Sequence, residues 1–315
     1  MSFLRFIPET TNVDFVRWRH PAFALDGLLL LITVASLLWH GLNMGIDFTG
    51  GVMIEAKAPY TIDDAATAKI RDLIAPLNFG ELQVQSFSGG QCDTPIRSCA
   101  LIRVPPKANV SGDEEATAIK QKLGSQFTFR NAQVIGPKVS TELFHDGVIA
   151  TVLAILLISV YVAFRFEWQY GVGALIATGH DVLVTAGFFS ILHLDFSLNS
   201  VAALLLLAGY SINDTVVVFD RIRENRRKYK RMALPALINL STNQIATRTT
   251  LVSVATALTM VPLALFGGPA LRDFSGAILF GILVGTFSST YVAAALLLYL
   301  PAPAGTTRTE ETAKA

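Results

Sequence analysis

The residues with the greatest chemical potential in this chain lie inside apolar sequence. Val201 to Phe219 is apolar enough to cross a bilayer, yet Asn213 and Asp214 sit within it. An ionised carboxylate at membrane depth costs about 2.5–3.5 kcal/mol on insertion scales, so it needs a partner, a cavity or a proton. Arg248, near the start of a later apolar run, keeps its charge at any cellular pH, whereas Asp214 can be neutralised by desolvation. Only the aspartate of the two is a plausible proton carrier, and approach or withdrawal of the arginine would unload or load it. His180 and Asp181 form a second ionisable pair in apolar sequence, for which a structural network and a relay both stay open. Ser241, Thr249, Ser253, Thr256 and Thr259 are read on one helical arc with Arg248, either lining a hydrated path or bonding neighbouring helices.

Other chemistries find no support. There is no Gly-x-x-x-x-Gly-Lys loop for nucleotide phosphates, no Ser/His/Asp arrangement and no metal-ligand cluster, so neither an enzyme nor a metal site is expected. Nothing favours nucleic acid, because the one basic cluster abuts an apolar span and lacks interleaved aromatics. The only coupling ligand expected is the proton. Gly281, Gly285 and Ser289 form a small-xxx-small ladder for close helix packing, and Gly209 is read the same way.

The elements that must position these groups follow from composition. Hydrophobic residues make up 52% and charged residues 16% of the 315, with mean hydropathy +0.49. The charged share is well below the ~25% of soluble domains, so the class is a polytopic membrane protein. A basic run follows the Asp214 span: Arg221, Arg223, Arg226, Arg227, Lys228, Lys230 and Arg231 against Glu224. Lysine and arginine are retained on the cytoplasmic side, which orients that helix and predicts both termini inside. The expected layout is an arm at 1–20, an uncleaved first span at 21–41 and an external domain at 42–143. Five spans follow within 144–300, at about 144–164, 171–192, 200–219, 245–266 and 274–299, then a cytoplasmic tail at 301–315. Asp26 falls near the inner end of the first span, where a structural role at the interface is expected.

The external stretch reads strand, helix, strand, strand, helix, strand, a βαββαβ order that predicts a ferredoxin-like α+β domain. Thr61 with Asp64 resembles a capping box, and Ser111 with Glu114 is a full one. Cys92 and Cys99, the only cysteines, fall here; outside the cytoplasm a bridge between them is favoured over two free thiols. An interfacial helix is allowed for in the loop from Asp220 to about Thr242.

Several motifs occur in order: GlyIleAspPheThrGlyGly at 45–51, IleGlyProLysVal before Glu142, ArgPheGluTrp at 165–168, GlyHisAsp at 179–181, GlyTyrSerIleAsnAspThr at 209–215, AspArgIleArgGluAsn at 220–225 and ThrArgThr at 247–249. From about Asp47 to Tyr299 the chain resembles the SecD/SecF family of bacterial protein-export membrane subunits, relatives of the RND transporters. The resemblance implies a SecF-type half working with SecD, the SecYEG channel and YajC in the inner membrane, and promoting late preprotein translocation with the proton-motive force. It assigns Asp214 and Arg248 to the proton pathway, with a matching aspartate in SecD. For Asp47, beside Gly50 and Gly51, a turn-stabilising role is expected, the glycines supplying unusual dihedrals. Two other readings compete: a non-conducting scaffold or insertion aid of the translocon, and an RND-type exporter of a small molecule or lipid.

Overall fold

The computed structural model describes residues 11–80, 82–87, 90–95, 97–107, 110–267 and 269–301. Most of the tail, the first ten residues and Gly268 lie outside them. In chain order the elements are α1 (Arg19–Trp39), β1 (Asn43–Met44), α2 (Ile46–Thr49), β2 (Gly51–Lys57), α3 (Asp64–Ile74), β3 (Gln83–Phe87), β4 (Cys99–Val104), α4 (Gly112–Leu123) and β5 (Thr128–Ile135). Then come α5 (Pro137–Arg165), α6 (Trp168–Ile191), β6 (Asp195–Phe196), α7 (Leu198–Lys228), α8 (Leu234–Phe266) and α9 (Pro269–Phe287). The last helix continues through a π-helical stretch, Ser288–Ala293, and ends at Leu296. Among the described residues six helices are long and apolar enough to cross a membrane: α1, α5, α6, α7, α8 and the segment Leu271–Leu296.

The helices outrun the apolar stretches that announce them. Pro137 starts α5 in its first turn, where a missing N–H costs nothing. Residues 220–242 hold no separate interfacial helix: α7 runs on to Lys228, and Pro235 sits in the first turn of α8. A contiguous helix there satisfies its backbone internally, and only Tyr229 to Ala233 is left as the link.

Between α1 and α5 lies the α+β domain. Its four strands pair antiparallel in the order β3-β4-β2-β5, with β2 and β4 central. Val52, Ile54 and Ala56 alternate along β2 into a core with Ile102, and Ile70, Ile74, Ile119 and Leu123 of α3 and α4 cover that face. Ser111 and Glu114 form the expected capping box on α4. On α3 the cap differs: Asp63, not Thr61, accepts from the Ala66 N–H, because the helix begins two residues later than the apolar pattern suggests. Cys92 and Cys99 are joined in a disulfide that ties the β3–β4 connection to the first residue of the central strand β4.

A short parallel pair, β1 with β6, was not evident in the sequence. Two-residue strands carry no periodicity, and this one joins positions about 150 residues apart.

Candidate functional site: a buried polar ladder across four helices

Helix α6 supplies the centre of the ladder. Its small residues Gly173, Ala174 and Ala177 let neighbours approach, and over half of its most apolar window is buried inside the protein. His180 and Asp181 are adjacent on it. Asp181 is fully buried; one oxygen lies 3.1 Å from His180 Nδ1, and the other accepts from the Ser211 hydroxyl of α7 at 2.6 Å. Three residues after Ser211, the buried Asp214 carboxylate accepts from the Ser289 hydroxyl at the start of the π-helical stretch. Such stretches recur at functional sites because they re-aim side chains off the regular helical track.

Glycines make room for this arrangement. A Cβ at Gly285 would stand 3.3 Å from Asp181 Oδ2, and one at Gly281 would strike the Leu207 side chain at 2.4 Å. Ser289, the third small residue of that ladder, is therefore a hydrogen-bond donor as well as a spacer. Gly187, not singled out in the sequence, packs in the same way against Thr33 of α1.

On the far side of α6 the ladder reaches α1. His180 Nε2 lies 3.9 Å from Asp26 Oδ2, and Asp26 is only 5% exposed. Asp26 thus faces the bundle interior instead of the interface. Its position near the end of an apolar run gave no hint of this; the facing residue on α6, 154 positions later, decides it.

Three expected participants are elsewhere. Arg248 is exposed and makes no ion pair among the described residues; Thr249, one step round the helix, is the residue turned toward Asp214. The hydroxyl arc splits accordingly. Ser241, Thr249 and Ser253 are buried against the bundle, whereas Thr256 and Thr259 bond their own helix on the outer side. Asn213 points outward on α7, and Gly209, one turn earlier, has nothing within 4 Å of a would-be Cβ, so among the described residues it packs against no neighbouring helix. At about 100° per residue, neighbours in sequence occupy different helix faces, and the pattern alone did not rank them.

The 45–51 motif is a docking piece. Gly45 N–H donates to Phe196 O at 2.8 Å, and Phe48 packs edge-on to Phe144 of α5 and near Phe196. Asp47 does not brace its own turn. Its carboxylate accepts from the Leu198 N–H at 2.8 Å, supplying an anion to the N-terminus of α7. Gly50 and Gly51 have φ of 73° and 117°, and a Cβ on Gly51 would collide with Val104 O at 2.2 Å. Beside the motif, Arg103 of β4 pairs with Asp195 of β6, which also accepts from Asn43 Nδ2 at 3.1 Å. Burial pulls the Arg103 guanidinium below its ordinary value, while Asp273 and Asp47 oppose that shift. It remains charged at neutral pH.

Among the described residues, no group of three or more His, Cys, Asp or Glu side chains could hold a metal ion.

Six membrane-length helices, with an α+β domain inserted between the first two and buried acids among them, define the class as a polytopic membrane protein. Residues 115–302 match the family model "Protein export membrane protein SecD/SecF, C-terminal", and residues 36–58 match the "SecD/SecF GG Motif". The chain is 39% identical over 297 residues to a protein translocase subunit SecF of Rickettsia typhi, covering 93% of this chain and 94% of that one. It is 38% identical over 311 residues to the SecF subunit of Rhodobacter capsulatus, covering 94% and 91%. Among solved structures it resembles SecDF, a translocon-associated membrane protein from a Thermus species, with TM-score 0.82 and 33% identity over 93% of this chain. The chain spans 39% of that SecDF chain. A super-membrane-facing form of SecDF gives TM-score 0.66. The chain belongs to the SecD/SecF family.

Proposed function

We propose that this chain is the SecF-type subunit of a protein-export machine of the bacterial inner membrane, and that Asp214 is its proton-binding group. The supporting observation is the burial of Asp214 with the Ser289 hydroxyl donating to it, Thr249 turned toward it and, among the described residues, no cation beside it. An intramembrane carboxylate so placed is functional by default. Moving one charge through 100 mV is worth about 2.3 kcal/mol, enough to bias a two-state packing but not to drag a polypeptide in one step. Export would therefore need repeated cycles.

The outward positions of Arg248, Asn213 and Gly209 suit a partner subunit. A guanidinium and an amide facing lipid tails are costly, whereas a second helical half packed on α7 and α8 would give them polar neighbours. In this reading SecD is that half and brings its own acid toward Arg248, so the arginine acts across the subunit boundary. The SecYEG channel, YajC and the translocating preprotein are the further partners.

The strand order β3-β4-β2-β5 with two helices on one face is the pattern of a ferredoxin-like split βαβ unit, and the disulfide suits a periplasmic location. The basic end of α7 then lies in the cytoplasm with both termini. Docking of this domain through Asp47 and Arg103 gives a route by which helix movement reaches it.

The test is export of a preprotein into vesicles holding the Sec channel, SecD and this chain. Asp214→Asn should assemble normally and lose the proton-dependent part of export. Undiminished export would leave a scaffold role.

A further inference from the structure

One buried ionisable group has no part in the Asp214 reading. Both carboxylate oxygens of Asp26 are buried and lack any hydrogen-bond partner among the described residues, and so does Nε2 of His180, which stands 3.9 Å from Asp26 Oδ2. The other ring nitrogen of His180 stands 3.1 Å from Asp181 Oδ1. A carboxylate accepts only, so Nδ1 must carry the hydrogen of that contact. In a neutral imidazole this leaves Nε2 as a lone pair aimed at a second carboxylate, two acceptors with nothing between them. One proton satisfies both.

We propose that Asp26 and His180 together bind a proton, making a second protonation site at the boundary of α1 and α6. The site gains one proton and one positive charge, and the arrangement becomes carboxylate, imidazolium, carboxylate from Asp26 through His180 to Asp181. The charged groups bearing on His180 are Asp181 and Asp26, and those bearing on Asp26 are His180 and Asp181. Helix α7 adds Asp214, which acts through Asp181. Neither α5, α9 nor the π-helical stretch brings a charged group to the pair, although all three pack on α6.

The consequence is mechanical. Helix α1 is otherwise held to α6 by Thr33 against Gly187 and by the Ser36–Ser190 hydroxyl pair at 2.8 Å. Loss of the proton sets two acceptors against each other at that contact, so the grip of α6 on α1 depends on proton occupancy. Through Asp181 and Ser211 the same charge is felt one helical turn from Asp214. The link to transport rests on the proton-driven reading above, whereas the proton itself follows from the local hydrogen bonding.

The experiment is solid-state NMR of histidine nitrogens in the full chain, assembled with its SecD partner in phosphatidylethanolamine/phosphatidylglycerol vesicles and titrated with pH. His180→Gln assigns the signal. The expected result is a His180 ring bearing protons on both nitrogens at neutral pH, with its proton affinity falling roughly tenfold in Asp26→Asn. Asp214→Asn should leave it nearly unchanged. If Asp26→Asn fails to assemble, Asp26→Glu carries the test and should retain the doubly protonated ring. A singly protonated His180 in the native chain, or a titration indifferent to Asp26→Asn, overturns the proposal. Normal export by Asp214→Asn would overturn the other reading and leave this one standing.

Discussion

Ser289 donates its hydroxyl hydrogen to the Asp214 carboxylate, at the point where the last helix loosens into its π-helical stretch. The partner anticipated for this acid was an arginine on α8; the partner present is a neutral hydroxyl in the π-helical stretch that follows α9. Among the described residues, no cation stands beside Asp214 to neutralise it.

Close packing around the ladder sets the first expectation. Gly281→Leu drives a side chain into Leu207, and overpacking of this kind costs roughly 1–3 kcal/mol. Thermal unfolding in detergent should show the loss, while Gly209→Leu, at a position open within this chain, should be neutral in the isolated subunit.

Arg103→Met should loosen the α+β domain from the bundle. It removes the cation from Asp195 and leaves that partly buried carboxylate near Asp47 and Asp273, at a cost of about 1.5–3 kcal/mol for hydrogen bonds to a charged group. Hydrogen exchange should rise at β1, β6 and the first turn of α7, while the core of the domain stays protected.

The disulfide offers a third test. It closes a loop between cysteines at a sequence separation of seven, which in the chain-entropy account is worth about 2 kcal/mol. A Cys92→Ser, Cys99→Ser chain should keep its membrane-length helices and show earlier melting of the α+β domain alone. Mass spectrometry of the untreated protein should find no free thiol.

At the basic end of the bundle the N-terminal arm is fastened to α8. Asn239 Oδ1 accepts from the Val16 N–H, Asn243 bonds Val13, and Asp14 accepts from Asn239 Nδ2 at 2.6 Å. The Asn239 side chain, helped by the Arg17 N–H, holds the exposed Asp14 carboxyl below its usual value. A depressed carboxylate stabilises docking above the free-chain value and loses that contribution as pH falls through the docked one. Proteolysis within the arm should accelerate below pH ~4, the ordinary carboxylate value, and Asn239→Ala should be fast at neutral pH already.

How far the sequence disclosed this depends on the range of each interaction. The presence of six membrane-length helices, the α4 capping box and the six elements of the α+β domain rest on local patterns, and each was legible, although the helix ends were not. Asp214 was legible too, because a carboxylate in an apolar run is conspicuous wherever it points. Partnerships were not. The Asp26–His180, Asp47–Leu198 and Arg103–Asp195 contacts join residues about 90 to 155 positions apart, and only the packed bundle brings them together. The orientation of Arg248 failed for a related reason: one residue of helical phase separates it from the buried Thr249.

Proton movement itself is the most direct test of the central claim. Vesicles carrying this chain with its SecD partner, under an imposed pH gradient and with a translocating polypeptide, should take up protons faster than empty vesicles. The account predicts that Asp214→Asn lowers this uptake to the passive leak. Uptake equal to that of the native chain would contradict it.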